Sequence, residues 1–257
     1  MSFLVEAQRT IAYAQATNDP IPAHLSGELA PPVFAVVPAW AALVGAMADV
    51  APPEMLPMLV HGEQDIHIHQ PMVPGMLLQT QAKVIGVQAK SSGTTVTVHC
   101  ATSTDKGEPV NEQYLVSFIR GWQAEQNSGQ AAPEHAFENP GTRADHEVTA
   151  AVDADQTFRY APASGDPNPI HVDDEIARAV GLPGIIVHGL CTMAFTSWAA
   201  ITALCEGDPR RLKRIAVRFS QPLQPEQKIV TRFWGNSFET TSGSGAVVIK
   251  NGLIERV

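Results

Sequence analysis

Two long apolar segments, each followed by a run of β-branched segments, dominate the hydrophobic pattern of the chain. Val37–Ala48 and Ile186–Cys205 are apolar on nearly every side at helical period, which is typical of helices buried inside a protein. A long helix followed by antiparallel strands predicts an α+β fold, with a sheet wrapped around each helix. The predicted strands are Asp65–Gln70, Met76–Gln88, Thr94–Ser103 and Val110–Ile119 in the first half, and Arg214–Ser220, Gln227–Phe238 and Gly245–Lys250 in the second.

The same order of elements recurs because the chain contains an internal repeat. Tyr13–Ala30 matches Tyr160–Ala177 at nine of eighteen positions without a gap. At nearly the same offset, Ile66–Pro74 and Val217–Pro225 share the pattern Gln-Pro-x-x-Pro. The repeat predicts two homologous halves, residues 1–122 and 145–257. Residues 123–144 are polar and rich in Gln, Ala, Gly and Pro, which is typical of a linker.

Charge and cysteine content narrow the class of protein. The chain has 257 residues and a net charge of −9, which argues against a nucleic-acid partner because no basic face is available. A local arginine cluster could still bind a small anion. The N-terminal residues lack the pattern of a signal peptide, and both long apolar segments contain breakers or polar groups, so we expect no membrane span. Three cysteines without a CxxC pattern predict reduced thiols and a cytoplasmic location.

The most informative segment is Asp166-Pro-Asn168-Pro-Ile-His171, at the centre of the second repeat copy. It places a carboxylate and an imidazole five residues apart across a stiff Asn-Pro turn, which is not a helical spacing. Such a pair can act as general acid and base around one water molecule. Gly189 follows His188 at the start of the second long helix, where unpaired N–H groups could stabilise a developing oxyanion.

This segment resembles the signature of the MaoC-like hydratases, also called (R)-specific enoyl-CoA hydratases or hydratase 2. The signature is an aromatic residue, then Ser-Gly-Asp-x-Asn-Pro-aliphatic-His, then an alanine. The resemblance implies a double hot dog, in which two hot-dog repeats are fused. It also implies reversible syn addition of water to trans-2-enoyl-CoA, with Asp166 and His171 as the catalytic dyad, the Gly189 N–H as oxyanion donor, and neither metal nor redox cofactor.

Six further residues are candidates for supporting or binding roles. Asn168 would hold the loop or orient the water, and Ser164 would cap the turn. For His188, a structural role at the start of the helix and a contact with the substrate are equally good interpretations. For Arg218 and Arg120, the favoured interpretation is a solvated side chain at a strand edge. The candidate substrate-binding residues are Tyr160, Ser164, Asn168, His188, Arg218 and Arg120, the two arginines being candidates for the CoA phosphates.

The first half keeps Asp19 and His24 but departs from the signature elsewhere. When the helix starts are aligned, Pro38 falls on Gly189, and proline has no N–H to donate. We therefore predict one active site, in the second half, with the first half as a degenerate scaffold that also holds the acyl chain. Small residues on its helix fit either an acyl tunnel or close helix–sheet packing; they are Ala39, Ala41, Ala42, Gly45 and Ala46.

Several alternatives remain open. The same chemistry could act on an acyl-carrier-protein thioester, although the negative charge argues mildly against that partner. A hot-dog thioesterase or a non-catalytic acyl-CoA-binding subunit belongs to another class, and both a monomer and a homodimer of double hot dogs are reasonable. His67 and His69 alternate on one strand with His61 nearby, but no Cys, Asp or Glu completes a recognisable set, so we predict no metal site.

Overall fold

A computed structural model describes residues 2–52, 55 and 59–257, and its α+β architecture agrees with the prediction. The α-helices of this part of the chain are α1 (Ala7–Ala16), α2 (Pro22–Leu25), α3 (Val36–Ala48), α4 (Gln156–Ser164), α5 (Asp174–Ala179) and α6 (Gly189–Leu204). Short 3-10 helices cover Pro32–Ala35, Pro169–His171 and Pro209–Arg211. The strands are β1 (Ser2–Leu4), β2 (Leu59–Ile68), β3 (Leu77–Lys90), β4 (Gly93–Thr104), β5 (Pro109–Arg120), β6 (Ser128–Gly129), β7 (His146–Val152), β8 (Leu212–Phe219), β9 (Gln227–Trp234), β10 (Ser237–Ser242) and β11 (Val247–Arg256).

All these strands belong to one antiparallel sheet that runs through both halves. Its order is β1-β3-β4-β5-β2-β8-β11-β10-β9-β7, and β6 pairs with β3. The halves meet where β2 pairs with β8, with Asp65 opposite Ala216 and Ile66 opposite Ile215. We call this β2–β8 pairing the seam. Because neighbouring residues of a strand point to opposite faces, Ile66 faces the helices and Asp65 faces outward.

The two long helices lie on the inner face of the sheet, but they are buried to different extents. Every residue of α6 from Leu190 to Ile201 is buried, as its largely apolar sequence predicts. Helix α3 packs only one side against the sheet, through Ala39 and Ala46 among others. The expectation of uniform burial was therefore wrong for α3, because Ala41, Val44 and Gly45 are exposed.

A buried ion pair on the outer face ties the seam together. Arg214 donates from Nε to Asp65 Oδ1 at 2.9 Å and from a terminal nitrogen to Oδ2 at 2.8 Å. Burial alone would raise the pKa of Asp65, but His67 and Arg214 outweigh it and hold that pKa below its usual value. Arg214 also donates to Glu255 at 2.7 Å. The geometry is bidentate, which suits a guanidinium bound to a carboxylate.

The connection at residues 123–144 is anchored to the outer face of the sheet through His135. His135 is 8% exposed, and its Nδ1 donates to the Asn251 carbonyl at 2.7 Å. Its Nε2 lies 3.3 Å from the Glu63 carboxylate on β2. Since these contacts reach both β11 and β2, this connection covers the seam from outside.

Several expected strand boundaries differ from the structure, since β2 begins at Leu59 rather than Asp65 and β11 extends to Arg256 rather than Lys250. Gln227–Phe238 is not one strand, because Gly235 adopts a φ of +60° and turns the chain between β9 and β10. A Gly-Asn turn of this kind was a readable signal. The sequence analysis also missed β7, which pairs with β9. None of the helices in the described ranges combines the length and apolarity needed to cross a membrane.

Candidate active site

The repeat reappears in the hydrogen bonds of the two motif loops. Thr17 Oγ1 donates to the Tyr13 carbonyl at 3.0 Å, and Ser164 Oγ donates to the Tyr160 carbonyl at 2.9 Å. Ser164 Oγ also accepts from the main-chain N–H of Asp166 at 3.3 Å, so it connects the end of α4 to the motif loop. The hydroxyls of Tyr13 and Tyr160 lie 3.1 Å apart and are buried, so equivalent tyrosines meet between the halves.

The chain reverses after each helix through a left-handed residue. Gly165 has a φ of +78°, and its counterpart Asn18 has a φ of +48°. Asparagine tolerates this conformation better than most residues, which explains how the first half keeps the turn without glycine. After this turn, Asp166 Oδ1 accepts a hydrogen bond from the main-chain N–H of Asn168 at 3.1 Å. In the first half, Asp19 Oδ1 accepts one from the main-chain N–H of Ile21 at 2.9 Å.

Asp166 and His171 face each other across a gap in the second half. A carboxylate oxygen of Asp166 and one ring nitrogen of each of His171 and His188 lie within 4.8 Å of one another. Among the described residues there is no direct hydrogen bond between Asp166 and His171. One water can bridge such a separation, because each hydrogen bond spans about 2.7–3.0 Å.

The tautomer of His171 is determined by a main-chain contact. Its Nδ1 donates to the Ile186 carbonyl at 2.8 Å, which leaves Nε2 with the lone pair in the neutral ring. Burial lowers the pKa of His171, although the Ile186 carbonyl and the Asp166 charge oppose the shift. The ring therefore stays neutral and can accept a proton at Nε2.

His188 lies between two rings. It stacks on His171 with ring centroids 3.7 Å apart and planes 25° apart, and Tyr160 lies 4.9 Å away. Neither nitrogen of His188 has a hydrogen-bond partner among the described residues, and both are buried. Burial first, and then the neighbouring His171, lowers the pKa of His188 to about 3. The Asp166 main chain opposes this shift but is not aligned for a hydrogen bond to the ring.

Helix α6 begins beside this group at Gly189. Its N-cap residue, His188, makes no side-chain capping hydrogen bond, so the first N–H groups of α6 lack a cap. A Cβ on Gly189 would lie 3.2 Å from the Phe219 ring, and that ring packs edge-on against His61 at 4.9 Å. The sequence analysis missed Phe219, which no motif marked, and it considered His61 only as a possible metal ligand.

The first half has a different arrangement at the equivalent position. His24 Nδ1 bonds directly to Asp19 Oδ2 at 2.7 Å, and both residues are buried. No water can enter between groups in direct contact. The first-half pair is therefore closed, whereas the second-half pair is open.

The main-chain contacts also correct the predicted alignment of the helix starts. The main-chain N–H of Ala30 donates to the Met72 carbonyl, and that of Val187 donates to the Leu223 carbonyl. Met72 and Leu223 hold the same position in the repeated Gln-Pro-x-x-Pro pattern, so Ala30 corresponds to Val187. Residue Pro32 therefore stands where Gly189 stands, and the predicted equivalence of Pro38 was wrong. The helical stretch begins earlier than expected, through the 3-10 helix that precedes α3. The consequence is unchanged, because Pro32 also lacks an N–H.

The remaining candidates lie around the dyad or away from it. Tyr160 is buried behind His188, and Asn168 caps the 3-10 helix by accepting from the Ile170 amide at 3.3 Å. Arg218 points outward, since its neighbour Phe219 points to Gly189, and lies 3.6 Å from Glu63. Arg120 is exposed at the end of β5. Within the described ranges, no hydrogen bond or ion pair joins either arginine to the motif loop.

The geometry of the dyad does not suit a metal ion. Asp166, His171 and His188 are close enough, but the two stacked rings lie 3.7 Å apart, and their in-plane lone pairs therefore lie in separate planes about that far apart. Zinc needs lone pairs that converge at about 2.0–2.1 Å. The histidines of β2 do not converge either, since His67 lies 3.2 Å from Asp65 and His61 bonds to Gln64 at 3.1 Å.

Comparison with known proteins agrees with this description. Residues 136–257 match the MaoC-like domain, and residues 28–121 match the MFE-2 hydratase 2 N-terminal domain. The chain is 31% identical to the probable enoyl-CoA hydratase 2 of Dictyostelium discoideum, over 76% of this chain and 69% of that protein. It also matches the peroxisomal multifunctional enzyme type 2 of Drosophila melanogaster at 28% identity, over 78% of this chain and 36% of that longer protein.

Solved structures show the same architecture. A MaoC-like dehydratase from Phytophthora capsici superposes with a TM-score of 0.89 at 28% identity, over 100% of this chain and 92% of that one. A Mycobacterium tuberculosis protein described as a double hotdog fold superposes with a TM-score of 0.62 at 12% identity, over 99% of this chain and 91% of that one. The fold is therefore a double hot dog, as predicted. The chain belongs to the MaoC-like dehydratase family, in its hydratase 2 form.

Proposed function

We propose that this protein is an (R)-specific enoyl-CoA hydratase that also catalyses the reverse dehydration of (3R)-hydroxyacyl-CoA. The observation that carries the proposal is the open gap between Asp166 and His171 beside the start of α6. A water in that gap would contact a carboxylate and a neutral imidazole. The closed pair in the first half has no such gap.

The reaction needs a base for the water and a proton for the substrate. His171 Nε2 and the Asp166 carboxylate hold the water and take up one of its protons as its oxygen bonds to C3. The same pair returns a proton to C2 from the same side, so the water adds in the syn sense. Positioned acid–base groups of this kind contribute about 10²–10⁴-fold to the rate. No metal or redox cofactor enters these steps.

The negative charge that develops on the thioester oxygen is stabilised at the start of α6. The Gly189 N–H is free for this role because it lies in the first turn, where no helical carbonyl accepts it. The helix dipole adds to the attraction for the oxyanion. Glycine allows the substrate to approach the backbone closely.

An open cleft of about 430 Å³ lies next to the motif loop, and its wall includes Ile185 and Asp174 together with Phe158 and Pro225. Asp166, His171 and Gly189 are not among its lining residues, so the cleft lies beside the site rather than at it. The single-site assignment is supported instead by the contrast between the open pair and the closed pair.

Five finer points remain predictions. CoA is the expected carrier of the acyl group. The alternative carrier is the acyl carrier protein, and the assay below tests both. The acyl-holding role of the first half remains open, and so does the division at residues 122 and 145. The three cysteines are all free and buried, which supports a cytoplasmic location. Sedimentation equilibrium would distinguish a monomer from a homodimer, and cell fractionation would test the compartment.

The test is a hydration assay that follows loss of enoyl absorbance. Purified protein would be mixed with crotonyl-CoA, with a medium-chain trans-2-enoyl-CoA, and with matching carrier-protein thioesters. Asp166→Asn and His171→Ala should each abolish most activity. Asp19→Asn is the matched control, because it changes the equivalent carboxylate of the closed pair, and it should keep the activity per folded molecule.

Each result bears on a separate part of the proposal. Loss of activity in Asp19→Asn, with its fold intact, would contradict the single-site assignment. If the protein hydrates only the carrier-protein thioester, its substrate carrier is the acyl carrier protein and not CoA. If wild-type protein hydrates none of these substrates, the hydratase proposal fails. Comparable rates for both chain lengths would support the acyl-holding role of the first half.

A further inference from the structure

We propose that His188 is a positioning residue that keeps His171 turned away from Asp166 and so keeps the water-binding gap open. This inference rests on the proposed function, in which a water lies between the two catalytic groups. His188 acts through His171 and does not contact the substrate. Its aromatic face is what matters, rather than its ring nitrogens.

The first argument is the placement of the His188 ring. It stacks against His171 at 3.7 Å on one side and lies 4.9 Å from Tyr160 on the other. Tyr160 is held in turn by the Tyr13 hydroxyl. The His171 ring plane is therefore supported from behind by a packed column of rings, and its Nδ1 stays aligned with the Ile186 carbonyl.

The second argument is the burial of the His188 nitrogens. The residue is 2% exposed, and both ring nitrogens are buried without a partner among the described residues. One of these nitrogens lies within 4.8 Å of the Asp166 carboxylate and of a His171 nitrogen, but no hydrogen bond joins it to either residue. Burying an unpaired polar group costs free energy, and the stacking on His171 is the favourable contact that the structure shows for this ring.

The third argument comes from the repeat, which provides an internal comparison. Pro31 holds the position of His188, with φ −54° and ψ 141° against −55° and 134° for the histidine. The backbone is the same, but no imidazole stands behind His24. There His24 has rotated onto Asp19, and its Nδ1 lies 2.7 Å from the carboxylate. The half without the stacking ring has a closed pair, and the half with it has an open pair.

The electrostatic surroundings explain why a support is needed. Asp166 is the charged group that faces His171, while Tyr160, Tyr13 and Cys191 around it are neutral because burial raises their pKa values. An unsupported imidazole would be drawn to that carboxylate, which raises the pKa of a histidine and favours its protonated form. Direct contact between His171 and Asp166 would also leave no room for the water between them.

The test compares His188→Ala, which removes the ring, with His188→Phe, which keeps an aromatic face but has no ring nitrogen. We expect His188→Ala to lower kcat for crotonyl-CoA by about 10²-fold, the lower end of what a positioned acid–base pair contributes, with a smaller change in KM. His188→Phe should restore at least part of that loss. His135→Ala is the matched control, because it removes another buried histidine outside the site.

Two readouts separate positioning from general destabilisation. In ¹⁵N imidazole spectra assigned with His171→Gln, wild type should show a neutral His171 protonated at Nδ1, and His188→Ala should show a charged ring. The acid limb of the kcat profile should move to higher pH in His188→Ala, because a carboxylate partner raises the pKa of a histidine. His135→Ala should alter neither readout.

Three results would overturn the inference. The first is a His188→Ala variant with wild-type kcat. The second is a His188→Phe variant as impaired as His188→Ala, with an unchanged His171 spectrum, which would assign the effect to a ring nitrogen. The third is an unchanged His171 spectrum in His188→Ala. The spectra need no substrate, so they decide the positioning role even if wild type proves inactive and the proposed function fails.

Discussion

Replacing Gly189 with proline would remove one N–H from the site while leaving the fold in place. The first half shows that proline is accepted at this position, since Pro32 occupies it after an N-cap with the same backbone angles as His188. Proline is also favoured at the first position of a helix, where its missing N–H has no helical partner. Residue 188 is extended, as the residue before a proline should be.

The expected loss is large because the missing donor acts in the transition state. Removing one oxyanion donor typically costs about 2.7–4 kcal/mol, and each 1.36 kcal/mol is a factor of ten. Gly189→Pro should therefore lower kcat for crotonyl-CoA by about 10²–10³-fold. The thermal midpoint should change little, because the helix start keeps its geometry.

Gly189→Ala is the matched control for steric effects. Its Cβ would lie 3.2 Å from the Phe219 ring, so that ring must move by a few tenths of an ångström. The alanine variant keeps the N–H and should lose far less activity than the proline variant. Equal losses in two folded variants would refute the oxyanion role of Gly189 and assign the effect to crowding against Phe219.

Three further predictions concern contacts outside the dyad. Arg214→Met should lower the free energy of unfolding in urea by about 3–5 kcal/mol, because Asp65 stays buried without its cation. Adding Asp65→Leu should recover much of this loss. A loss below about 1 kcal/mol would contradict the importance of this ion pair. The glutamate partner raises the pKa of His135 although burial alone would lower it, so the pair stabilises the fold below the unfolded value near 6.5 and loses this as pH rises. His135→Gln should therefore lower Tm more at pH 6 than at pH 8, and equal losses would argue against the charged pair. Tyr13→Phe should lower the free energy of unfolding by about 1–3 kcal/mol, because the buried Tyr160 hydroxyl loses its hydrogen-bond partner. Adding Tyr160→Phe should recover part of this loss. No recovery would mean that packing of the two rings, and not the hydrogen bond, determines the loss.

The repeat made the fold class predictable from the sequence, and the motif identified Asp166 and His171 as the candidate reacting pair, which the structure brings close together. The gapless match of Tyr13–Ala30 to Tyr160–Ala177 extends to equivalent hydrogen bonds at Thr17 and Ser164. The helix starts could not be aligned in this way, because the chain lengths between motif and helix differ in the two halves. Only the paired main-chain contacts showed that Pro32 is the counterpart of Gly189.

Other features depend on three-dimensional contacts that no local pattern contains. The open and closed states of the two pairs follow from a ring packed behind His171, while the local sequence keeps Asp and His in both copies. Composition predicted a linker at 123–144 but not the contacts by which His135 anchors that segment to both halves. Arg218 was a candidate anion contact, but strand alternation turns it outward.

The seam has a consequence for synthesis on the ribosome. Strand β2 ends at Ile68 and its partner β8 begins at Leu212. At ordinary elongation rates the ribosome needs on the order of 10 s to synthesise the residues between them, and β2 has no pairing partner on that side until then. During that time the nascent first half presents an open sheet edge, which invites pairing with other chains. Glu63 and Asp65 lie on that edge, and charged side chains discourage such pairing. The carboxylates that later bind Arg218 and Arg214 can thus protect the half-made protein from aggregation before those arginines exist.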